Sequence, residues 1–289
     1  MCAALAISEN LLCCAEDSDS LDNIADSPSN SRSSAMDIAS LSASISMDTF
    51  FTSPKGEDCR EVLLAMERKE KNFMPDWEKI KSQGEEIFAH RKKLVTRMDT
   101  LCQKLRFGDA TFFAAVNILD RFLSLHTVKD NEKVLFPLIG IACVSISAKM
   151  AEVSIPSLKT LQAFMGQDLP FNPAHIRRTE MGILNCLGWA VNCITPYTVL
   201  GYVMVDGKTG GVERDEANRI FHETVMELKK SVLTREYLVH TATETAKACI
   251  AMAEGNFVNN VKRSHEFDAA YPNKRARSPT TPLCSQWAF

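Results

Sequence analysis

A chain of 289 residues with 45% hydrophobic content can bury one large core or two small ones, and its apolar run Val134–Ala148 falls short of the roughly 18 apolar residues that cross a bilayer. The net charge of −3 excludes a general polyanion binder. Ten cysteines include no CxxC pair, and the stretch Met1–Asn10 lacks the basic and apolar regions of a signal peptide, so reduced thiols are expected, with no zinc or other metal site. Cys102, Cys143, Cys186 and Cys249 fall in helical patterns, where a free thiol serves as a small core residue.

In chain order, Glu9–Asp58 is rich in Ser and Asp and carries Arg32 and Lys55 as its basic residues. Residues 1–56 are therefore expected to be disordered. Within them Leu12, Cys14 and Glu16 stand at alternate positions. In an extended chain these side chains share one face, which suits strand-like docking into a groove with a basic rim; a chance match in a polar tail is the alternative. Asp17 and Asp19 lack the glycine and terminal glutamate of a calcium loop.

Glu61–Phe73 reads as an amphipathic helix with Val62, Leu63 and Met66 on one side, ended by Pro75 and expected to pack on the main domain. Next comes a helix over Glu85–Leu105 with the seam Ile87, Leu94, Met98 and Leu101, into which Arg91 falls. The following helix starts near Asp109 as N-cap, and its seam of Phe113, Val116 and Leu123 holds Asp120. A charge in an apolar seam is expensive unless paired, so a buried Arg91–Asp120 ion pair is expected; otherwise either side chain sits at the seam's edge and reaches water.

Val134–Ala148 is an uncharged, mostly apolar run and the expected centre of the fold. Small residues Gly140, Ala142, Cys143 and Ala148 alternate there with Leu138, Ile141, Val144 and Ile146, which lets neighbouring helices approach from several sides, and Pro137 falls in the first turn. A short helix covers Leu158–Met165. Asn172 then caps a helix opened by Pro173, with the seam Ile176, Ile183, Leu184 and Leu187, and Glu180 falls inside it. No period-2 segment is long enough to argue for a sheet, so the fold class is all-α.

Three stretches resemble the cyclin box: Asn117-Ile118-Leu119-Asp120-Arg121-Phe122-Leu123-Ser124, Ser147-Ala148-Lys149-Met150-Ala151-Glu152, and Glu180 to Trp189 followed by Ile194-Thr195-Pro196. With Leu12-x-Cys14-x-Glu16 and the Met66–Glu70 to Met74-Pro75 helix they are similar to plant D-type cyclins, over roughly Glu57–Pro196. The resemblance implies a cyclin fold, a five-helix box around a central helix. It carries the family's invariant positions onto Arg91, Asp120, Leu138, Lys149 and Glu180. The first two would support the fold as a buried pair, and Lys149 and Glu180, with Leu138, would form the kinase-binding set. Two departures stand out. His90-Arg91-Lys92-Lys93-Leu94 and Arg97 replace an apolar substrate-docking patch, and Ala151 replaces the first glutamate after the lysine.

Beyond Pro196, Tyr197–Val205, Glu213–Ser231 and Glu236–Glu254 read as helices around a loop at 206–211, resembling a second cyclin box cut short. The expected boundaries are 1–56, 57–194, 195–256 and a flexible basic tail, 257–289. Gly201 with Gly207-Lys208-Thr209 imitates a phosphate-binding loop, but the interval is one residue too long and no strand precedes it. Lys274, Arg275 and Arg277 read as a nuclear import signal, a merely solvated tail being the alternative.

The resemblance implies a D-type cyclin: a regulatory subunit without catalysis or cofactor that binds and activates a cyclin-dependent kinase. It also implies a link, through Leu12, Cys14 and Glu16, to a retinoblastoma-type pocket protein, and promotion of the G1/S transition in the nucleus and also the cytoplasm. No direct contact with nucleic acid or membrane is expected. The rival is a cyclin-fold transcription adaptor without kinase activation, which a basic stripe facing DNA would favour. No Ser/His/Asp set, HExxH or histidine cluster points to another enzyme, and a nucleotide-hydrolysing reading through Lys208 and Thr209 meets the spacing fault.

Overall fold

A computed structural model describes residues 56–129, 134–165, 171–206 and 214–255, and every regular element among them is helical. In chain order these are α1 (Gly56–Glu70), α2 (Trp77–Ser82), α3 (Glu85–Leu105), α4 (Asp109–Leu125), α5 (Phe136–Ala151), α6 (Leu158–Met165), α7 (Pro173–Cys186), α8 (Pro196–Asp206), α9 (Arg214–Ser231) and α10 (residues 242–255). A 3-10 turn at Glu236–Leu238 precedes α10. The Leu12–Glu16 segment, Gly207-Lys208-Thr209, and Lys274, Arg275 and Arg277 lie outside the described residues.

Helix α5 is the centre, with α3, α4, α6 and α7 packed on it. It is apolar all round, as a helix covered on every side must be, and buries every residue from Leu138 to Ala148. Gly140 sets how close α3 comes, since a Cβ there would lie 2.5 Å from Leu94 Cδ1. Around this centre runs one continuous apolar core that also takes in Leu200 and Met204 of α8, Phe221, Val225 and Leu228 of α9, and Cys249 and Ala253 of α10. The second helical region therefore shares its core with the first. Cys102, Cys143 and Cys249 are buried in it and unbridged, Cys186 is half-buried, and burial pushes the Cys102 thiol up to about 12.

Several local features depart from the sequence reading. Asp109 is the first helical residue of α4, and the N-cap is Gly108, which has no side chain to cap with. An acceptor comes from Glu152, just past α5: its Oε1 accepts the Gly108 N–H at 2.8 Å, one of the backbone donors that a helix start leaves open, and also the Thr111 hydroxyl. Helix α1 packs on α8 and α10, with Leu63, Val199, Val203, Ala242 and Ala246 in one apolar cluster, and so braces the second region. The expected helix over Glu236–Glu254 is broken after Leu238. A capping box restarts it: Thr241 Oγ1 accepts the Glu244 N–H at 3.2 Å and Glu244 Oε2 accepts the Thr241 N–H at 2.9 Å. Helix α2 has no periodic signal in the sequence, since six residues capped by Asp76 carry too few periodic positions.

Candidate functional site

The polar residues of Asn117-Ile118-Leu119-Asp120-Arg121 each fix a different segment. Asn117 Nδ2 donates to the Phe73 carbonyl at 3.1 Å, holding the exit of α1. Arg121 donates to the Ala190 carbonyl at 2.7 Å and lies 4.9 Å over the Phe73 ring. Asp120 takes both arms of Arg91, Nε at 2.5 Å and Nη2 at 2.7 Å, and both side chains are buried. Burial pushes the Asp120 carboxyl up. It also works against the Arg91 charge, but the Asp120 carboxylate outweighs it and holds Arg91 above its usual value. Arg91 Nη1 has a further partner that no sequence pattern marks, the Val232 carbonyl at 2.8 Å, just past the end of α9. The guanidinium thus joins α3, α4 and the second region at one buried point. Lys229 of α9 adds a half-buried tie, reaching Asp99 at 3.1 Å and Asp109 at 2.7 Å.

This frame aims Lys149 and Glu180. Lys149 ends α5, where a cation complements the helix dipole, and its Nζ donates to both carboxylate oxygens of Glu180 at 2.8 and 2.7 Å. Packing of α7 on α5 brings the two together. The pair is lopsided: the Glu180 side chain is 9% exposed and the Lys149 side chain 46%. An ammonium has three donors and a carboxylate about four acceptor sites, so each group is occupied only in part. Their sequence neighbours are apolar and open to solvent: Met150 is 63%, Val153 78%, Ile155 43% and Met181 48% exposed. Such side chains beside a partly satisfied ion pair have the composition of an interaction surface, an apolar patch with a charge that fixes register.

Leu138 does not belong to that surface. It is fully buried in a cluster with Ile141, Leu161 and Ile176, so it seats α6 and α7 on α5 and offers no side chain to a partner. Ala151 leaves the surface one carboxylate short, and Glu152 is engaged at the start of α4. On α3, Arg91 and Leu94 turn inward while Lys92, Lys93 and Arg97 are exposed. His90 stacks on Phe136 with ring centroids 5.2 Å apart. The outer face of α3 is cationic where an apolar docking patch would lie.

Sequence reasoning missed Gln83, which joins the α2–α3 turn to the end of α4: its amide donates to the Leu123 carbonyl at 2.7 Å and its carbonyl accepts the Val128 N–H at 3.0 Å. It also missed Glu70, whose Oε1 accepts the Ala242 N–H at the start of α10 at 2.5 Å. Neither has a sequence signal, because the bonded residues stand 40 to 172 positions apart. Among the described residues no group of His, Cys, Asp and Glu is arranged to hold a metal, and no helix is long and apolar enough to cross a membrane.

Residues 61–192 match the cyclin N-terminal domain. Among curated proteins, the chain is similar to Cyclin-D4-2 of Arabidopsis thaliana, with 26% identity over 214 residues, 73% of this chain and 71% of that protein. It is similar to Cyclin-D4-1 of the same plant at 26% identity over 201 residues, 68% of this chain and 64% of that protein. Among solved structures, a viral cyclin from herpesvirus saimiri shares the fold, with a TM-score of 0.50 and 19% identity over 57% of this chain and 69% of the other. Residues 61–192 are thus similar to the cyclin N-terminal domain, and the curated proteins that the chain resembles are plant D-type cyclins.

Proposed function

We propose that this protein binds a cyclin-dependent kinase through the surface around Lys149 and Glu180 and orders the kinase's mobile helix and activation loop, so that its catalytic Lys–Glu pair can form. The observation that carries this reading is the half-exposed Lys149 ammonium held by a nearly buried Glu180 beside exposed Met150, Val153, Ile155 and Met181. A fixed donor and acceptor of this kind suit backbone groups of a partner helix. The finer role follows the family resemblance: promotion of the G1/S transition, recruitment of a retinoblastoma-type pocket protein through Leu12, Cys14 and Glu16, and nuclear import through Lys274, Arg275 and Arg277. Exposed Lys92, Lys93 and Arg97 on α3 are the observation in favour of a DNA-facing adaptor. Three charges on one helix, in a chain of net charge −3, are a small footprint for phosphate binding, and the kinase reading is preferred.

The test is kinase affinity and activation by Lys149→Ala and Glu180→Ala, beside their circular dichroism and melting curves. Truncating one partner of a buried, hydrogen-bonded charge pair at an interface costs about 2–5 kcal/mol of binding. Both variants should stay folded and lose the kinase in a pull-down, while the Leu12–Glu16 segment keeps its own partner. A folded Lys149→Ala that binds and activates normally defeats the proposal.

A further inference from the structure

The end of α1 and the start of α10 border a cleft of about 360 Å³, lined by Glu67 and Glu70 on one side and Thr243 and Glu244 on the other, with Lys71 and Lys247 exposed at its rim. Two groups in this lining are incompletely satisfied. Thr243 is 3% exposed, yet its hydroxyl oxygen is buried with no hydrogen-bond partner, a condition that native interiors rarely leave standing. Glu70 is also buried, and its Oε1 accepts the Ala242 N–H, a neutral donor. Burial pushes the Glu70 carboxyl up, the Glu67 and Glu244 charges push the same way, and among the described residues no cation counters them. A buried carboxylate in this position is costly until a positive charge pairs with it.

We propose that this cleft receives one arginine side chain from a partner protein, at a contact separate from the Lys149–Glu180 surface. Three carboxylates against two lysines leave a deficit of one positive charge, which one guanidinium supplies. Among the described residues no carboxylates are grouped to share a metal ion, so the occupant must carry donors in several directions. A guanidinium presents five in a planar fork and is more weakly hydrated than an ammonium, so it can bond Glu67, Glu70 and the Thr243 hydroxyl together. The volume lies at the small end of the roughly 300–1,000 Å³ of ligand sites and suits a single side chain. Leu64, 45% exposed, stands three residues before Glu67 on the same face of α1 and gives a peptide that carries the arginine an apolar contact beside the charge. A free polyamine would bring several charges against the Lys71 and Lys247 rim and make no use of Leu64.

The experiment is amide NMR of the isotope-labelled full chain titrated with the peptide acetyl-Leu-Gly-Arg-Gly-amide, with the same peptide carrying citrulline as a neutral isostere, and with spermidine. The arginine peptide should give saturable shifts at residues 67–74 and 241–247, at least about tenfold tighter than either comparison probe, because it alone combines the charge-assisted fork with the apolar contact. Glu70→Gln keeps an acceptor for the Ala242 N–H, and Thr243→Val removes the hydroxyl at nearly constant shape; each should weaken the arginine peptide at least about threefold. Thr243→Val should melt no lower than wild type, since the hydroxyl it loses has no partner within the protein. A lower melting temperature would mean that the hydroxyl is already satisfied, and overturns the proposal. So do shifts that fail to saturate, a citrulline peptide that binds as well, or either variant binding like wild type. Tightest binding by spermidine overturns it too, by making a soluble polyamine the occupant. The three probes on wild type keep the test intact if a variant fails to fold. No kinase enters any arm, so this proposal and the kinase reading fail independently.

Discussion

Asp120→Ala isolates what the buried pair contributes. The substitution leaves the Arg91 guanidinium with no solvent exposure and without the two charge-assisted bonds it makes to Asp120. The Val232 carbonyl remains as its acceptor. An uncompensated charge of this kind costs about 3–5 kcal/mol, a large share of the roughly 5–15 kcal/mol by which domains are stable. At about 2–4 °C per kcal/mol for a domain of this size, the melting temperature should fall by roughly 6–20 °C. Thermal unfolding of the full chain followed by circular dichroism checks this. The double variant Arg91→Met with Asp120→Leu removes both charges, so it should recover most of the loss, but not all, because the buried Val232 carbonyl is then left without its donor at a cost of about 1–3 kcal/mol. An Asp120→Ala protein melting within about 3 °C of wild type, or a double variant no better than the single, would refute the reasoning.

Other outcomes follow from packing and charge elsewhere. Gly140→Ala places a methyl 2.5 Å from Leu94 Cδ1, in a core where Leu94 is itself buried, so it should destabilise by about 1–3 kcal/mol in denaturant titration; an unchanged midpoint means α3 and α5 slide apart freely. Burial, with the Glu67 and Glu244 charges adding to it, pushes the Glu70 carboxyl above 4.5 against the pull of the Ala242 N–H. The folded state then holds the Glu70 proton more tightly than the unfolded one, so this contribution is full below about pH 4.5 and is lost as pH rises through the folded value. Glu70→Gln keeps an acceptor for Ala242 and should lack that slope, and parallel melting-versus-pH curves for the two proteins would rule the account out. Since Lys92, Lys93 and Arg97 are exposed where an apolar patch would lie, a short basic-hydrophobic docking peptide should fail to inhibit substrate phosphorylation by the kinase complex; strong competition would show that the α3 face still docks substrates.

The sequence alone determined the helical class, the central position of α5, and three of the charged residues that matter. Arg91, Asp120 and Glu180 could be read because each interrupts an apolar seam whose period is local, and local period is what a sequence displays. The Asn172 cap is equally local, and the structure closes it as a capping box with His175. Lys149 entered through resemblance, since a lysine ending a helix is ordinary by itself. What required the tertiary structure was every choice of partner between segments distant in the chain: Glu152 rather than Asp109 capping α4, α1 bracing the second region, Arg91 reaching Val232, and Leu138 turned inward on a helix apolar all round, where hydrophobic pattern assigns no outer face. Such pairings depend on which surfaces meet once helices pack. A hydrogen bond from Glu70 to Ala242, 172 residues apart, leaves no periodic trace in the chain; the sequence specifies the helices, and their packing selects which of many chemically equivalent carboxylates and carbonyls become neighbours.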